Sequence, residues 1–215
     1  INDRREIHSE VNMMRALLWL NADGPSDALI AQLLDGADIV VGVDGGSDRA
    51  VGSGFEIDMI IGDMDSVGLQ DSAAARILLE DQQSSDLAKA IEYLCGKGYK
   101  EFDVVGIEGG LESHQLGIWG ALAEVPGDVG IRLHSDRSEI HRISPERGQT
   151  LVEVPIGSVF SVFALENCDS VTVIGGKWGL NDEVLRLSTK GLHNIAETSP
   201  LSFSSDGVLV AIINR

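Results

Sequence analysis

The first part of the chain alternates short apolar runs with segments of helical spacing. Segments with helical character lie at Ser26–Asp35, Gly46–Ser53, Ser84–Leu94 and His114–Ala123. The apolar runs around and between them predict β-strands at Ala16–Leu20, Ile39–Val41, Ile57–Ile61, Phe102–Ile107 and Val129–Leu133. Strands that alternate with helices in this way predict βαβ units and therefore a parallel sheet.

The segment Ser84–Leu94 carries the clearest helical pattern. Ser84 or Ser85 can cap its start, and Gly96 is placed to end it. Its apolar positions follow the i, i+3, i+4, i+7 spacing of one helix face: Leu87, Ala90, Ile91 and Leu94.

The helical spacing disappears after about Ser135, and the pattern changes to short strands between turn residues. These predicted strands are Thr150–Val154, Ser158–Leu165, Ser170–Ile174, Val184–Ser188 and Gly207–Ile213. Such a series is typical of a small β-sandwich or barrel. The boundary lies in the polar stretch Ser135–Gln149, so we expect an α/β domain over 14–135 and a β domain over 136–215.

The charge of the chain excludes two classes of partner. With 34 acidic and 16 basic residues, the formal net charge is −18. A protein that binds the phosphate backbone of a nucleic acid needs a clustered basic face, and an anionic membrane repels an acidic surface.

No apolar run is long enough to span a bilayer, and the polar segment Ile1–Arg15 lacks the apolar stretch of a signal peptide. Cys95 and Cys168 are far apart, which favours two buried thiols in a reducing cytoplasm.

Aspartates and glycines cluster where the predicted strands end. Asp44-Gly45-Gly46 follows one strand, and Gly62-Asp63-Met64-Asp65-Ser66 follows the next. Asp86 and Lys89 lie in the first turns of the predicted helix Ser84–Leu94. Because the carboxyl ends of parallel strands form the ligand crevice of such sheets, we expect Asp44, Asp63, Asp65 and Asp86 at one rim.

A single aspartate at a strand end is most often a helix cap, but the conjunction of four favours a cation site. Carboxylates that lie close together raise one another's pKa unless a cation neutralises them. Mg²⁺ prefers such oxygen ligands together with substrate phosphates. The glycines let backbone N–H groups approach phosphate, and Lys89 adds a positive charge. Since no P-loop motif is present, the residues predict a magnesium-dependent nucleotide or phosphate enzyme of another type.

Three later segments admit both structural and functional interpretations. Gly109-Gly110 closes a strand ahead of His114, a histidine that is more often structural than catalytic in such a place. Ser158–Phe163 is most simply a sandwich strand. Lys177-Trp178 lies in a glycine-rich loop, where the indole can plug a core or stack on a flat cationic ligand.

Taken in order and spacing, these motifs resemble the thiamine pyrophosphokinase family over nearly the whole chain. The motifs that carry the resemblance are Asp44-Gly-Gly, Gly62-Asp-Met-Asp-Ser66, Ser85-Asp-Leu-Ala-Lys-Ala90, Gly109-Gly110 with His114, Ser158–Phe163 and Gly176-Lys-Trp-Gly-Leu180. The resemblance implies a Rossmann-like parallel α/β domain followed by a β-sandwich, and a cytoplasmic homodimer with active sites at the subunit interface. It implies transfer of diphosphate from ATP to the hydroxyl of thiamine, giving AMP and thiamine diphosphate.

The resemblance also implies roles for individual residues. The implied metal ligands for Mg²⁺ are Asp44, Asp63, Asp65 and Asp86, and the implied catalytic residues are Asp63, Asp65, Asp86 and Lys89. The implied ATP-binding residues are Asp44, Gly45, Gly46, Ser66, Gly109, Gly110 and His114. The implied thiamine-binding residues are Asp65, Thr172, Lys177, Trp178 and Asn194.

The sequence departs from the family pattern in the part that implies substrate binding. Leu111 and Ser113 stand where the family usually has Arg and Asp, and Ile174 and His193 also differ from the usual residues. Three functions therefore stay open at this point. They are a thiamine diphosphokinase with a divergent pocket, a related diphosphokinase for another hydroxyalkyl heterocycle such as a pterin, and a nucleotide-binding homologue without turnover.

Overall fold

The fold is described from a computed structural model that covers residues 13–68 and 73–215. Most of the polar segment Ile1–Arg15, which bears on the expected location in the cell, lies outside the described residues. Among the described residues, no helix combines the length and the apolar character that crossing a membrane requires.

Six parallel strands form one half of a large sheet. They are β1 (Met14–Trp19), β2 (Ile39–Val43), β3 (Met59–Gly62), β4 (Ala75–Leu78), β5 (Tyr99–Val105) and β6 (Gly130–His134). Their order across the sheet is β6-β5-β1-β2-β3-β4. From β1 the chain adds β2, β3 and β4 on one side, and it then crosses back to place β5 and β6 on the other side of β1. Ligands of open parallel sheets bind where the order reverses in this way, at the carboxyl ends of the strands.

Four helices connect these strands, as the alternation of patterns predicts. They are α1 (Asp27–Asp35), α2 (Gly46–Gly52), α3 (Asp86–Cys95) and α4 (Glu112–Glu124). The cap of α3 is the predicted one, because the Ser85 hydroxyl accepts a hydrogen bond of 3.3 Å from the Ala88 N–H. Strand β4 was not predicted from the sequence. Its residues are mostly exposed, so it lacks the apolar run that marks the other parallel strands.

The large sheet continues past β6 with antiparallel strands. They are β7 (Ser138–Ile143), β14 (Leu209–Asn214), β9 (Val159–Ala164) and β12 (Asn194–Ile195), in that order across the sheet. Strand β7 lies inside the polar stretch that was interpreted as a boundary without regular structure. Its charged side chains hide the strand pattern, but it pairs with both β6 and β14 and so joins the two halves into one ten-stranded sheet.

A second, antiparallel sheet of four strands completes the fold. It consists of β11 (Leu180–Leu185), β10 (Cys168–Ile174), β13 (Leu201–Ser205) and β8 (Thr150–Val152). Phe160 of the large sheet meets Phe203 of the small one edge to face, with ring centroids 6.0 Å apart, inside a shared apolar core. The two antiparallel layers of the expected β domain are thus present, but one of them is continuous with the parallel sheet.

Helices cover both faces of the parallel half. A core that includes Leu18, Phe102 and Val104 lies on the face of α3 and α4. A smaller core on the other face joins Leu17 and Trp19 to α1 and α2. These cores fix the strands, so the loops at their carboxyl ends are held at one rim of the sheet.

Candidate functional site

Two adjacent strands place the aspartates of the sequence motifs at this rim. Asp44 follows β2 directly, and its N–H donates a hydrogen bond of 2.8 Å to the Ile61 carbonyl of β3. Asp63 follows β3 in the same way. Asp44 has φ +47° and Met64 has φ +66°, a region that residues other than glycine seldom adopt. Backbone of this kind concentrates at functional sites, where the surrounding structure holds it in place.

Three of the predicted carboxylates come together. One carboxylate oxygen from each of Asp44, Asp63 and Asp65 can be chosen so that all three lie within 4.8 Å of one another. Asp44 is buried, Asp63 is half-buried and Asp65 is exposed, so the group opens to solvent on one side. We call these three residues the acidic cluster.

Asp44, the buried member of the acidic cluster, is in an environment that disfavours its negative charge. Burial raises the pKa of Asp44, the backbone N–H of Gly45 acts against this, and the charges of Asp86 and Asp63 raise the pKa further. Oδ1 of Asp44 is buried without a hydrogen-bond partner. An oxygen in this state lacks the compensation that buried polar atoms normally have.

Hydrogen bonds hold the exposed members of the cluster in place. The Asp65 N–H donates to Asp63 Oδ1 at 3.2 Å, and Gln82 Nε2 donates to Asp63 Oδ2 at 3.1 Å. These two bonds lower the pKa of Asp63. The Ser66 hydroxyl donates to Asp65 Oδ1 at 2.8 Å. The predicted ATP-binding residue Ser66 therefore orients a carboxylate of the cluster, and Gln82 is a supporting residue that the sequence patterns missed.

Asp86 and Lys89 form an ion pair beside the cluster. Lys89 Nζ lies 2.7 Å from Asp86 Oδ1, and its hydrogen bonds go to the carbonyls of Leu79 at 3.1 Å and Asp81 at 3.0 Å. Lys89 is 7% exposed, so α3 is tied through it to the segment that follows β4. Asp86 is not part of the group of three, although its charge acts on Asp44. The predicted role of Asp86 as a metal ligand and that of Lys89 in binding phosphate stay predictions.

The two glycines after Asp44 allow a close approach of backbone segments. A Cβ atom on Gly46 would lie 1.9 Å from the Trp19 carbonyl oxygen, and one on Gly45 would lie 2.4 Å from Asn21 Nδ2. Only glycine therefore fits where α2 begins against the end of β1. This packing explains the glycine pair, and the binding of ATP phosphates there stays a prediction.

The loops after β1 and β5 meet at the point where the strand order reverses. Asp23 and Glu108 form an isolated β-bridge, which brings Asp23 close to Gly109. Asp23 also lies 3.6 Å from Arg49 of α2 in an exposed ion pair. Asp23 and Arg49 are therefore rim residues that no sequence motif singled out.

The loop that follows Glu108 carries further predicted ATP-binding residues. Gly109 and Gly110 both have positive φ, and His114 is exposed in the first turn of α4. Leu111 and Ser113, the two departures from the family pattern, are exposed as well. The structure thus gathers these positions on the rim side of the sheet without assigning them a ligand.

Two of the predicted thiamine residues of the C-terminal half, Trp178 and Asn194, line a different cavity, and Thr172 and Lys177 do not. A cavity of about 480 Å³ is lined by Trp178, Lys190, His193, Asn194 and neighbouring residues. Lys177 Nζ lies 4.9 Å from the centroid of the Trp178 ring, and that ring is largely exposed. None of the residues of the acidic cluster lines this cavity.

Asn194 and Thr172 have structural partners of their own. Asn194 Oδ1 accepts a hydrogen bond from the Trp178 N–H at 3.1 Å, and its Nδ2 donates to the Trp178 carbonyl at 2.7 Å. Asn194 therefore clamps the backbone of the tryptophan loop. The Thr172 hydroxyl accepts from the Asp182 N–H at 3.1 Å. Binding of thiamine by these residues stays a prediction.

The acidic cluster fits a divalent metal ion. It offers three carboxylates with one buried, unpartnered oxygen, and hard oxygen ligands of this kind suit Mg²⁺. A cation there would relieve the repulsion that raises the pKa of Asp44.

A family model describes the part of the chain that carries this cluster. Residues 30–131 match the catalytic domain of thiamin pyrophosphokinase. This part of the chain, just under half of its length, is similar to the thiamin pyrophosphokinases. No curated protein matches the sequence significantly.

Solved thiamin pyrophosphokinases share the fold. The enzyme from Bacillus subtilis is 24% identical, with a TM-score of 0.72 over 94% of this chain and 98% of its own. The Candida albicans protein is 14% identical, with a TM-score of 0.73 over 95% and 90%. The yeast protein is 15% identical, with a TM-score of 0.74 over 97% and 88%. At these identities the likeness establishes the architecture, and it extends over both sheets.

The catalytic-domain match divides the predicted site residues into two groups. Residues 30–131 contain the acidic cluster, Asp86, Lys89 and the loop of Gly109, Gly110 and His114. The predicted thiamine residues from Thr172 onward lie outside the match. The roles of the residues in both groups stay predictions.

Proposed function

We propose that this protein is an ATP-dependent thiamine diphosphokinase, which transfers diphosphate from ATP to the hydroxyl of thiamine and releases AMP. The observation that carries the proposal is the acidic cluster at the carboxyl ends of β2 and β3, inside the residues that match the thiamin pyrophosphokinase catalytic domain. Enzymes that transfer phosphoryl groups rely on positioning and on charge stabilisation more than on covalent chemistry, and a rim of fixed carboxylates and loops supplies both.

Asp44, Asp63 and Asp65 would hold Mg²⁺ in this proposal. An ion held there would supply positive charge against the phosphate groups of ATP and the leaving AMP. Asp65 is the exposed carboxylate of the cluster, so it can accept a hydrogen bond from the thiamine hydroxyl and take its proton. Gln82 and Ser66 keep the carboxylates of Asp63 and Asp65 in their orientations.

Phosphate binding falls to groups around the cluster. Gly109 and Gly110 are exposed at the rim, Gly45 and Gly46 are buried where α2 begins, and Lys89 contributes a buried positive charge beside Asp86. Arg49, at the start of the same crevice, is a further cation within reach of the loops after β1 and β5.

Thiamine would bind against the tryptophan loop. An exposed indole that already holds the Lys177 ammonium at 4.9 Å is suited to the cationic thiazolium ring. Because the cavity beside Trp178 contains no residue of the acidic cluster, we propose a homodimer in which Trp178 of one subunit serves the cluster of the other. The proposed location is the cytoplasm, where ATP is available and the free thiols Cys95 and Cys168 stay reduced.

The substitutions at Leu111 and Ser113 are compatible with turnover. Both side chains are exposed, so the absence of an Arg and an Asp leaves no buried charge without a partner. The ion pair of Asp23 and Arg49 lies next to Gly109 in the same loop system and offers a similar pair of charges.

Release of AMP from Mg²⁺–ATP tests the proposal when it is measured with a panel of acceptor alcohols. We expect AMP and thiamine diphosphate to form in equal amounts with thiamine, and much less AMP with pterin alcohols. Preference for a pterin alcohol would assign another acceptor. Absence of AMP with every acceptor, in a protein that still binds Mg²⁺–ATP, would contradict an enzymatic role.

A further inference from the structure

A row of charged side chains crosses one face of the large sheet at its middle. Register partners there are Arg15 with Glu101, Asp103 with Arg132, and Arg132 with His141. Two layers cover this face of the sheet. Helices α1 and α2 pack over the parallel strands near Leu17, and the four-stranded sheet packs over the antiparallel strands. The charged row therefore lies between two apolar packing layers.

A cavity of about 300 Å³ opens over this row. Its polar lining includes Arg15, Glu101 and Arg132 from the strands, Arg147 from the 3₁₀ turn Pro145–Arg147, and Gln149 and Thr150 at the start of β8. We call it the arginine cavity. It is large enough for a phosphate or diphosphate group with part of an organic body.

The arginines of this cavity outnumber their carboxylate partners. Asp103 binds both Arg15, at 3.0 Å from Nη1, and Arg132, at 2.9 Å from Nε. Glu101 binds Arg147 at 2.8 Å. Among the directly bonded groups, three guanidinium groups thus share two carboxylates, an excess of one positive charge, while the charge of Glu139 also acts on Arg132. The fourth arginine of the lining, Arg142, turns its guanidinium to the carbonyls of Leu122, Val125 and Pro126.

These three arginines keep free hydrogen-bond donors. Their hydrogen bonds and ion pairs within the described part of the chain use Nη1 of Arg15, Nε and Nη2 of Arg132, and Nη2 of Arg147. A guanidinium has five N–H donors, so each retains N–H groups without a protein partner. The side chains are 27%, 34% and 28% exposed respectively, which holds the charged heads partly out of water.

The arginine cavity lies at the opposite edge of the sheet from the acidic cluster. Arg15 is the second residue of β1, and Arg132 is the third residue of β6. Arg15 thus lies near the amino-terminal end of β1 and Arg132 in the middle of β6, whereas the acidic cluster follows the carboxyl ends of β2 and β3. The cavity is therefore separate from the proposed site of diphosphate transfer.

We propose that the arginine cavity is a second ligand site, which binds a small phosphorylated molecule through its phosphate or diphosphate group. A guanidinium group can donate two parallel hydrogen bonds to two oxygens of a phosphate. Three such groups around one cavity therefore suit an anion with several oxygens, whereas a single guanidinium is enough for a carboxylate. A chain with a net charge of −18 repels anions over most of its surface. An anion is therefore expected to bind where the arginines provide a local excess of positive charge.

Binding of inorganic pyrophosphate, measured by calorimetry with EDTA present and without nucleotide, tests the proposal. Without a metal the acidic cluster repels this anion, so the arginine cavity is the expected site. We expect Arg147→Gln to weaken binding at least about tenfold, because it removes a positive charge and its hydrogen-bond donors from the cavity. Arg186→Gln is the matched control, because Arg186 pairs with Asp169 on the small sheet and does not line the cavity. Acetate at the same concentration is expected to bind far more weakly.

A second pair of variants separates this site from the catalytic one. The double variant Asp63→Asn, Asp65→Asn should bind pyrophosphate under these conditions at least as well as wild type. If Arg147→Gln fails to fold, Arg147→Lys keeps the charge, removes the fork and should still weaken binding measurably. The proposal is overturned if wild type binds no pyrophosphate up to the millimolar range, if both arginine variants bind as wild type does, or if Arg186→Gln loses binding equally. None of these readouts depends on diphosphate transfer, so either proposal can fail alone.

Discussion

At the scale of single residues, the acidic cluster combines carboxylates with different environments. Asp44 is buried with an unpartnered oxygen, while Asp63 is held by the Asp65 N–H and by Gln82. The pKa of Asp44 is raised, chiefly by burial, and the pKa of Asp63 is lowered, chiefly by the bond from the Asp65 N–H. The charged form of Asp44 is therefore costly in the metal-free site, whereas the charged form of Asp63 is favoured.

Asp63→Asn and Asp65→Asn should each reduce AMP formation by at least about a hundredfold, because each removes a charge from the metal site. Neither side chain is part of the apolar core, so the melting temperature should change little. Steady-state AMP release and thermal unfolding of the same preparations check both expectations. Near-normal magnesium-dependent turnover in both variants would show that the acidic cluster has been assigned wrongly.

Asp44→Asn should abolish activity and yet stabilise the metal-free protein. A carboxyl whose folded pKa is raised favours folding less as the pH rises through that pKa, so at neutral pH its charge destabilises the fold. Removal of the charge should raise Tm in EDTA by about 2–4 °C. Asp65→Asn is the control, since Asp65 is exposed. A lower Tm for Asp44→Asn than for wild type would contradict the account of Asp44 as a strained, buried charge.

At the scale of elements, one buried carboxylate connects three strands. Asp103 of β5 is 2% exposed and binds Arg15 of β1, Arg132 of β6 and His134 of β6. Burial by itself would raise the pKa of Asp103, but the hydrogen bond from His134 and the two arginines lower it to about 2. The network thus fixes the order of strands at the point where the parallel and antiparallel halves of the sheet meet.

Asp103→Ala should destabilise the protein by about 3 kcal/mol, because it leaves the partners of a buried carboxylate unpaired. This value is at the low end of the stability loss that is usual for breaking a buried ion pair, because Arg15 and Arg132 are partly exposed and can bind water. Urea unfolding measures the loss. Asp128→Ala is a matched control, because Asp128 pairs with Lys100 at an exposed position and should matter little. Equal effects of the two substitutions would exclude a structural role for the buried network.

The same network predicts the response to acid. Asp103 and Glu139 both have a pKa lowered to about 2, Glu139 first of all through its hydrogen bond with His141. Carboxyls with a lowered folded pKa contribute stability above their unfolded pKa near 4 and lose it as the pH falls toward 2. Stability should therefore fall steeply between about pH 4 and pH 2, and Asp103→Ala should flatten this dependence.

At the scale of the whole molecule, the acidic cluster and the tryptophan cavity belong to different halves of the chain. The family model covers 30–131, and Trp178 and Asn194 lie beyond it. A shared site in a symmetric dimer explains how both sets of residues can act on one substrate.

Mixed dimers test this arrangement. Asp65→Ala and Trp178→Ala should each be inactive, but a dimer with one chain of each kind carries both defects in one site and none in the other. Random pairing makes about half of the dimers mixed, so about a quarter of all sites should recover. AMP release after co-refolding of equal amounts measures the recovery. Zero recovery, with mixed dimers detected by mass spectrometry, would place both residues in one chain's site.

The sequence by itself determined the local elements with strong patterns. The strands with apolar runs, the cap and stripe of α3, and the aspartates at the ends of β2 and β3 were all predicted from spacing, because backbone geometry and strand-end chemistry act over a few residues. The similarity to thiamin pyrophosphokinases was predicted from the same motifs in order, and the family model matches residues 30–131.

Only the tertiary structure decided what depends on pairing between distant segments. The charged residues of β7 hide its strand pattern, and it becomes a strand by pairing with β6 and with the distant strand β14. The supporting role of Gln82, the meeting of Asp23 with Glu108, and the gathering of Arg15, Arg132 and Arg147 around one cavity have the same origin. Each arises when the sheet brings together residues that are far apart in the chain, and no local pattern encodes such a contact.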